Sequence, residues 1–255
     1  MEAYVKTAIH QGIGTIEFFH PQSNSLPAAI LASLAKEIKR AGTNPEIKVI
    51  ILRSAGDKTF CAGASFDELA AIETEKDGLN FFMGFANVIN EMRKCPKLII
   101  ARIQGKCIGG GVGLAAAADY AIANTNCTVK LSELAVGIGP FVVGPVVERK
   151  IGASAFAQLA IDATSWRPAD WARRKGLFAE LHETTEMQEE YIQKLANSLA
   201  HSNPDAMASL KKVCWEGTEN WDDLLAKRAA ISGKLVLSSF TKNAIAQFKA
   251  GKRDG

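Results

Sequence analysis

The sequence predicts an α/β fold on a largely parallel sheet, and three observations carry that prediction. Apolar, β-branched runs stand at residues 47–52 and 98–103. A glycine-bearing turn follows each: Phe60-Cys61-Ala62-Gly63-Ala64-Ser65 after the first and Gly105-Lys106-Cys107-Ile108-Gly109-Gly110-Gly111-Val112-Gly113-Leu114 after the second. An Ala/Leu-rich or helically periodic stretch comes after each turn, and this strand, turn, helix rhythm is that of a parallel sheet with crossover helices.

The elements follow in order. Residues 5–10 and 14–19 flank Gln11-Gly12-Ile13 and read as a β-hairpin. From Pro27, a natural opener of a helix, Ile30, Leu34 and Ile38 recur at helical spacing with Lys36, Lys39 and Arg40 between them, which makes an amphipathic helix. Residues 77–94 form a second helix between the two buried strands. Beyond about residue 150 helix formers dominate, apart from a short strand near residues 177–181. The chain therefore divides into an α/β core, 1–195, and a helical appendage, 196–255. Such an appendage buries its apolar face poorly alone, so docking on a neighbouring subunit is expected.

Composition bounds the function. A chain of 255 residues, 47% of them hydrophobic, can bury the core of one large domain. The formal net charge of only +3 calls for neither a nucleic-acid nor a membrane partner. The one basic cluster, Arg93-Lys94-Cys95-Pro96-Lys97, has no interleaved aromatics and reads as a solvated helix end. No apolar run reaches the roughly 18 to 20 residues of a membrane span. Five cysteines, Cys61, Cys95, Cys107, Cys127 and Cys214, are odd in number and lack CxxC spacing, as expected of a reduced, cytoplasmic compartment. The histidines show no metal-ligand spacing, and no metal site is expected.

Chemistry concentrates in the two turns. Small residues at a strand-to-helix turn let backbone N–H groups approach a ligand, and two such turns can aim two donors at one oxygen, which is the construction of an oxyanion hole. Glu133 stands in an otherwise apolar run, Leu131-Ser132-Glu133-Leu134, where a carboxylate needs a task or a partner. Partial burial would raise its pKa and suit it to acid/base work. Two rivals are weaker. Gly111-Val112-Gly113-Leu114-Ala115-Ala116 fits a dinucleotide fingerprint with Glu133 as its ribose-binding acid, but the turn is misplaced for the first strand of such a unit. Cys61 and Cys107 could be thiol nucleophiles, yet neither has a histidine nearby in sequence.

In this order and spacing the segments resemble the crotonase (enoyl-CoA hydratase/isomerase) superfamily. The resemblance runs from Pro21-Gln22-Ser23-Asn24-Ser25-Leu26 through Asp57-Lys58-Thr59-Phe60-Cys61-Ala62-Gly63-Ala64 and the triple-glycine turn. It continues to Ser132-Glu133-Leu134-Ala135-Val136-Gly137-Ile138-Gly139-Pro140 and the basic Phe248-Lys249-Ala250-Gly251-Lys252-Arg253. It implies a crotonase-like spiral of ββα units ending in the helical appendage, an acyl-CoA substrate, and a homotrimer or homohexamer. By motif position Ala64 and Gly110 supply the oxyanion donors and Glu133 is the acid/base. Lys58, Ala62, Phe248 and Lys252 or Arg253 meet CoA, which belongs to the substrate, so no separate cofactor or metal is implied.

Two positions depart from the pattern. Gly113 stands where well-studied hydratases carry a second glutamate, and Ser65 where an aspartate is usual, leaving Asp67 or Glu68 to take over its hydrogen bonding. The run at residues 132–140 looks much like that of a branch resembling methylglutaconyl-CoA hydratase. The expected reaction is reversible addition of water to a 2-enoyl-CoA, including a branched or methylglutaconyl-type acyl group. The alternatives are double-bond migration between the 3 and 2 positions and acyl-CoA binding without catalysis.

Overall fold

A computed structural model describes residues 2–251, with side chains through residue 247. The hairpin pairs β1 (Tyr4–His10) with β2 (Ile13–Phe19) through a turn in which Gln11 and Gly12 both have positive φ, 48° and 80°, the backbone that matches strand twist in a two-residue hairpin loop. Helix α1 (Ala28–Thr43) starts after Pro27 and buries Leu31, Leu34 and Ile38. Three ββα units follow. The first contains β3 (Val49–Ser54), β4 (Thr59–Cys61), α2 (Phe66–Ala70) and α3 (Glu75–Lys94); the second β5 (Leu98–Ile103), β6 (Lys106–Ile108) and α4 (Gly110–Ala117); the third β7 (Tyr120–Asn124), β8 (Thr128–Lys130) and α5 (Gly144–Ile161). Then come β9 (Arg167–Pro168), α6 (Ala169–Arg174) and β10 (Glu180–His182), followed by α7 (Thr185–Ala200), α8 (Pro204–Cys214), α9 (Trp221–Leu235) and α10 (Ser239–Gly251).

Each ββα unit gives its first strand to one sheet and its second to another. The larger sheet has the order β1-β2-β3-β5-β7-β10 and is parallel apart from the hairpin; the smaller runs β4-β6-β8-β9, with only β8 and β9 antiparallel. The chain is therefore a spiral of ββα units, as its motifs imply. Strand β3 is apolar nearly throughout because both its faces are covered, Ile50 and Leu52 by the main core and Val49 and Ile51 by the cluster beneath α7.

Helix α3 shapes the site most directly. A reciprocal cap starts it, the Thr74 hydroxyl accepting from the Asp77 N–H at 3.1 Å and the Asp77 carboxylate from the Thr74 N–H at 3.1 Å. Phe85, Val88, Ile89 and Met92 face the core. Helix α9 crosses its outer side so closely that a β-carbon at Gly78 would lie 2.6 Å from Gly233 Cα. Trp221, Leu225 and Ala229 of α9 join the main core of the same chain. A division at residue 195 falls inside α7.

One buried polar cluster holds α8 against the larger sheet. Asp119 accepts hydrogen bonds from the Lys211 ammonium at 2.8 Å, the Trp215 indole N–H at 3.1 Å and the Ile99 backbone N–H at 2.7 Å. Lys211 is 3% exposed and also donates to the Lys97 carbonyl at 2.9 Å. Asp119→Ala leaves that ammonium buried and uncompensated, so it should cost roughly 3 to 5 kcal/mol in urea unfolding, the range for one broken partner of a buried ion pair. A loss under 1 kcal/mol would mean that Lys211 finds solvent. Among the described residues no helix is long and apolar enough to cross a membrane.

Candidate active site

Parallel pairing in the smaller sheet decides where the chemical groups fall. Cys61 of β4 lies opposite Cys107 of β6, which lies opposite Val129 of β8. Because the three strands run parallel, with one register shift between Thr59 and Cys61, the segments that follow them leave from the same end of the sheet, and these carry Ala64, Gly110 and Glu133.

Each turn presents a backbone donor. Around Ala64 the chain is pinned by the Leu26 N–H donating to the Gly63 carbonyl at 2.8 Å and the Ser65 N–H donating to the Leu26 carbonyl at 3.3 Å. That bridge uses the groups on either side of Ala64, so its own N–H points away from Leu26. Gly110 opens α4, where the first N–H groups have no intrahelical acceptor. Among the described residues neither N–H has a backbone partner outside the site. Gly63, at φ 87°, brings the turns together: a β-carbon there would lie 3.6 Å from the Gly110 nitrogen and 3.3 Å from the Ile108 carbonyl oxygen.

Glu133 precedes the 3₁₀ turn Leu134–Val136. The residue as a whole is half-buried, but its Oε2 is sealed from solvent and has no hydrogen-bond partner among the described residues. Burial pushes its pKa up to about 7. A β-carbon at Gly109 would sit 3.0 Å from Oε1, so the second glycine turn also makes room for this carboxyl group.

The three groups line one cleft of about 90 Å³, walled by Phe66, Phe81, Phe82, Phe85 and Phe141 together with aliphatic side chains. Glu133 is the one ionisable side chain among these lining residues. A polarised carbonyl oxygen held by the two N–H groups would acquire negative charge without reorganisation of the site, beside a carboxyl group able to give or take a proton near neutral pH.

The model of the enoyl-CoA hydratase/isomerase family matches residues 8–249. The chain belongs to that family. Among curated members it is similar to carnitinyl-CoA dehydratase of Proteus mirabilis, 31% identical over 193 residues, which cover 76% of this chain and 73% of that one. The Salmonella typhi protein of the same name is 29% identical over the same shares. Among solved structures, enoyl-CoA hydratase of Bacillus halodurans superposes with a TM-score of 0.88 at 23% identity, covering 96% of this chain and 99% of that chain. An enoyl-CoA hydratase of Mycobacterium avium gives 0.84 at 22% identity, covering 98% of each. At these identities the structures speak for the fold.

Against the pattern of the enoyl-CoA hydratase/isomerase family, the two departures have local explanations. Ser65 caps α2, its hydroxyl accepting from the Glu68 N–H at 3.3 Å. Asp67 and Glu68 serve the opposite loop, Asp67 accepting from the Gln22 side-chain amide at 3.3 Å and Glu68 from the Ala28 N–H at 2.8 Å. Gly113 is walled off: a β-carbon there would lie 2.5 Å from Val143 Cγ1, and it is Val143 that reaches the cleft. A side chain at residue 113 has no room while Val143 stays.

Of the residues assigned to CoA, Ala62 lines both the inner cleft and an outer groove that continues from it. Lys58 is exposed and lines neither, although its neighbour Thr59 lines the groove. The Phe248 side chain and the whole of Lys252 and Arg253 lie outside the described residues. Sequence reading missed Lys106 and Lys130, which line the groove with their ammonium groups 5.6 and 5.3 Å from the Trp166 ring centroid. The missed signal was strand alternation, since Lys106 and Lys130 flank buried Cys107 and Val129.

Burial removes the thiols from contention. It pushes Cys61 up to about 12 and Cys107 well above the ordinary thiol range, and the Cys61 sulfur accepts from the Gly63 N–H at 3.4 Å as part of the turn. Iodoacetamide on the folded protein should label exposed Cys214 and leave activity intact. Rapid labelling of Cys61 with matching loss of activity would return a thiol to the mechanism.

Proposed function

We propose that this protein catalyses reversible hydration of a 2-enoyl-CoA, with Glu133 as the single acid/base and the Ala64 and Gly110 N–H groups as the oxyanion hole. The observation that carries the reading is one carboxyl group, near neutral in pKa, lining an apolar cleft with two backbone N–H groups that have no partner among the described residues. In the addition direction Glu133 takes a proton from water as the water oxygen bonds to C3. The C2–C3 π electrons move onto the thioester oxygen, where the two N–H groups hold the enolate. Glu133 then returns a proton to C2, so one carboxyl group balances both transfers. The dehydratase names of curated relatives support the reverse reaction. The CoA portion occupies the outer groove in this reading, with Lys106 and Lys130 meeting its phosphates.

A second reading, migration of a double bond from the 3 to the 2 position, is favoured by the wall at Val143. Glu133 would then carry a proton from C2 to C4, and a cleft without a second water-holding carboxylate would protect that transfer. Turnover of crotonyl-CoA and of a 3-enoyl-CoA by the same preparation separates the two. Hydration at least tenfold faster supports the first, the converse supports the second, and no turnover of either sinks both in favour of binding alone.

The role of Val143 has its own test. Gly113→Glu alone should fold poorly or lose activity, whereas Gly113→Glu with Val143→Gly opens the space and should raise hydration relative to isomerisation. If the double variant folds and the ratio does not move, the space behind Val143 lies away from the reacting carbons.

A further inference from the structure

Resting on the acyl-CoA reading above, we infer that the inner cleft takes an uncharged hydrocarbon or aryl acyl group and excludes acyl groups carrying a second carboxylate or a quaternary ammonium. The walls come from separate parts of the chain: Phe66 from α2, Phe81, Phe82 and Phe85 from α3, and Phe141 from the loop before α5. Phe81 and Phe82 meet edge to face with centroids 5.0 Å apart. The polar side chains among the lining residues are Ser132, Ser232 and Glu133, and none is a cation.

An acyl carboxylate would therefore enter an apolar cleft whose described lining residues include no cation, and would face Glu133, whose Oε2 has no hydrogen-bond partner among the described residues. This runs against the methylglutaconyl-type acyl group expected from the sequence. A trimethylammonium group could lie against the aromatic faces, but the one anion among the described residues lining the cleft is the carboxyl group that must exchange protons. Holding Glu133 as a fixed counter-ion would take it out of the reaction. Hydrocarbon, by contrast, is stabilised along the whole wall, by about fourfold in affinity for each buried methylene.

The experiment measures dissociation constants, without turnover, for free CoA and for butanoyl-, hexanoyl-, 3-phenylpropanoyl-, glutaryl- and γ-butyrobetainyl-CoA. The expected result is progressive tightening from CoA to hexanoyl- and 3-phenylpropanoyl-CoA, with glutaryl- and γ-butyrobetainyl-CoA at least a hundredfold weaker than hexanoyl-CoA. Phe82→Arg, or Phe81→Arg if that variant does not fold, should then improve glutaryl-CoA at least tenfold and weaken hexanoyl-CoA. Either charged acyl group binding as tightly as hexanoyl-CoA overturns the inference, as does equal binding of every acyl-CoA and free CoA. Tight, graded binding of the apolar set without turnover of any enoyl-CoA would uphold the cleft chemistry and defeat the hydratase reading. No binding of any of these compounds would defeat both.

Discussion

Glu133→Gln should lower kcat for the best enoyl-CoA by at least about a hundredfold while the protein stays folded and binds acyl-CoA, since a positioned acid/base contributes roughly 10² to 10⁴ in rate. The amide keeps the shape of the carboxyl group and loses its proton exchange. Wild-type hydration should rise with pH and level off above about 7, where the buried carboxyl group is ionised to act as base; the Gln variant should lack that limb. Stability should move the other way. The folded-state pKa lies above the usual 4.5, so the unfolded chain releases this proton first, and the contribution present below pH 4.5 is lost as pH rises to about 7. The loss is about 3 kcal/mol, at 1.36 kcal/mol per pKa unit. Glu133→Gln should therefore be more stable than wild type at pH 8, with the difference vanishing near pH 4. Near-normal turnover in the variant would remove Glu133 from the mechanism, and exposed Glu148, which does not line the cleft, would not replace it.

Removal of the Gly110 N–H should cost on the order of 10² to 10³ in kcat, the usual loss for one oxyanion donor. Proline lacks that N–H and is tolerated in the first turn of a helix, where Gly110 stands. Bulk is the obstacle: a β-carbon at Gly110 would lie 2.2 Å from Phe85 Cζ, so alanine is no neutral control in the wild-type background. The comparison belongs in a Phe85→Ala background, where Gly110→Ala keeps the donor and Gly110→Pro does not. Two folded variants with equal kcat would rule out the Gly110 donor.

Strand, turn and helix were legible in the sequence wherever the pattern was local. The run at residues 98–103 is strand β5 to the residue, and Pro27 marks the start of α1. Ala64, Gly110 and Glu133 could be named from motif position. Their meeting depends on the register of β4, β6 and β8, a long-range property that no local pattern encodes. The aromatic wall was invisible for the same reason. Phe81, Phe82 and Phe85 read as one helix face among many until Phe66 and Phe141 arrive from elsewhere. Val143 was missed because a valine before a helix carries no signal, and only the contact with Gly113 gives it a role. In the segment after residue 195, expected to dock on a neighbouring subunit, α9 buries Trp221, Leu225 and Ala229 in the main core of its own chain while Leu210, Val213, Ile231 and Phe240 stay exposed.

That crossing of α9 over α3 through Gly78 and Gly233 bears on the order in which the protein becomes complete during synthesis. Ser232 on α9 lines the inner cleft, Ala244 and Gln247 on α10 line the outer groove, and Ile245 packs with Leu69 and Ile138 behind the aromatic wall. Both sheets are finished by residue 182, yet the lining of the cleft and groove waits for α9 and α10 to leave the ribosome, as a chain emerging N-terminus first must. Until then Phe81 and Phe82 have Leu69, Ile72 and Ile138 beside them but lack Val236 and Ile245, and Trp221 and Leu225 have yet to join the main core. The nascent protein thus holds Glu133 and both glycine turns before the cleft around them is closed, and the interval in which its apolar surface is most exposed coincides with an unfinished cleft.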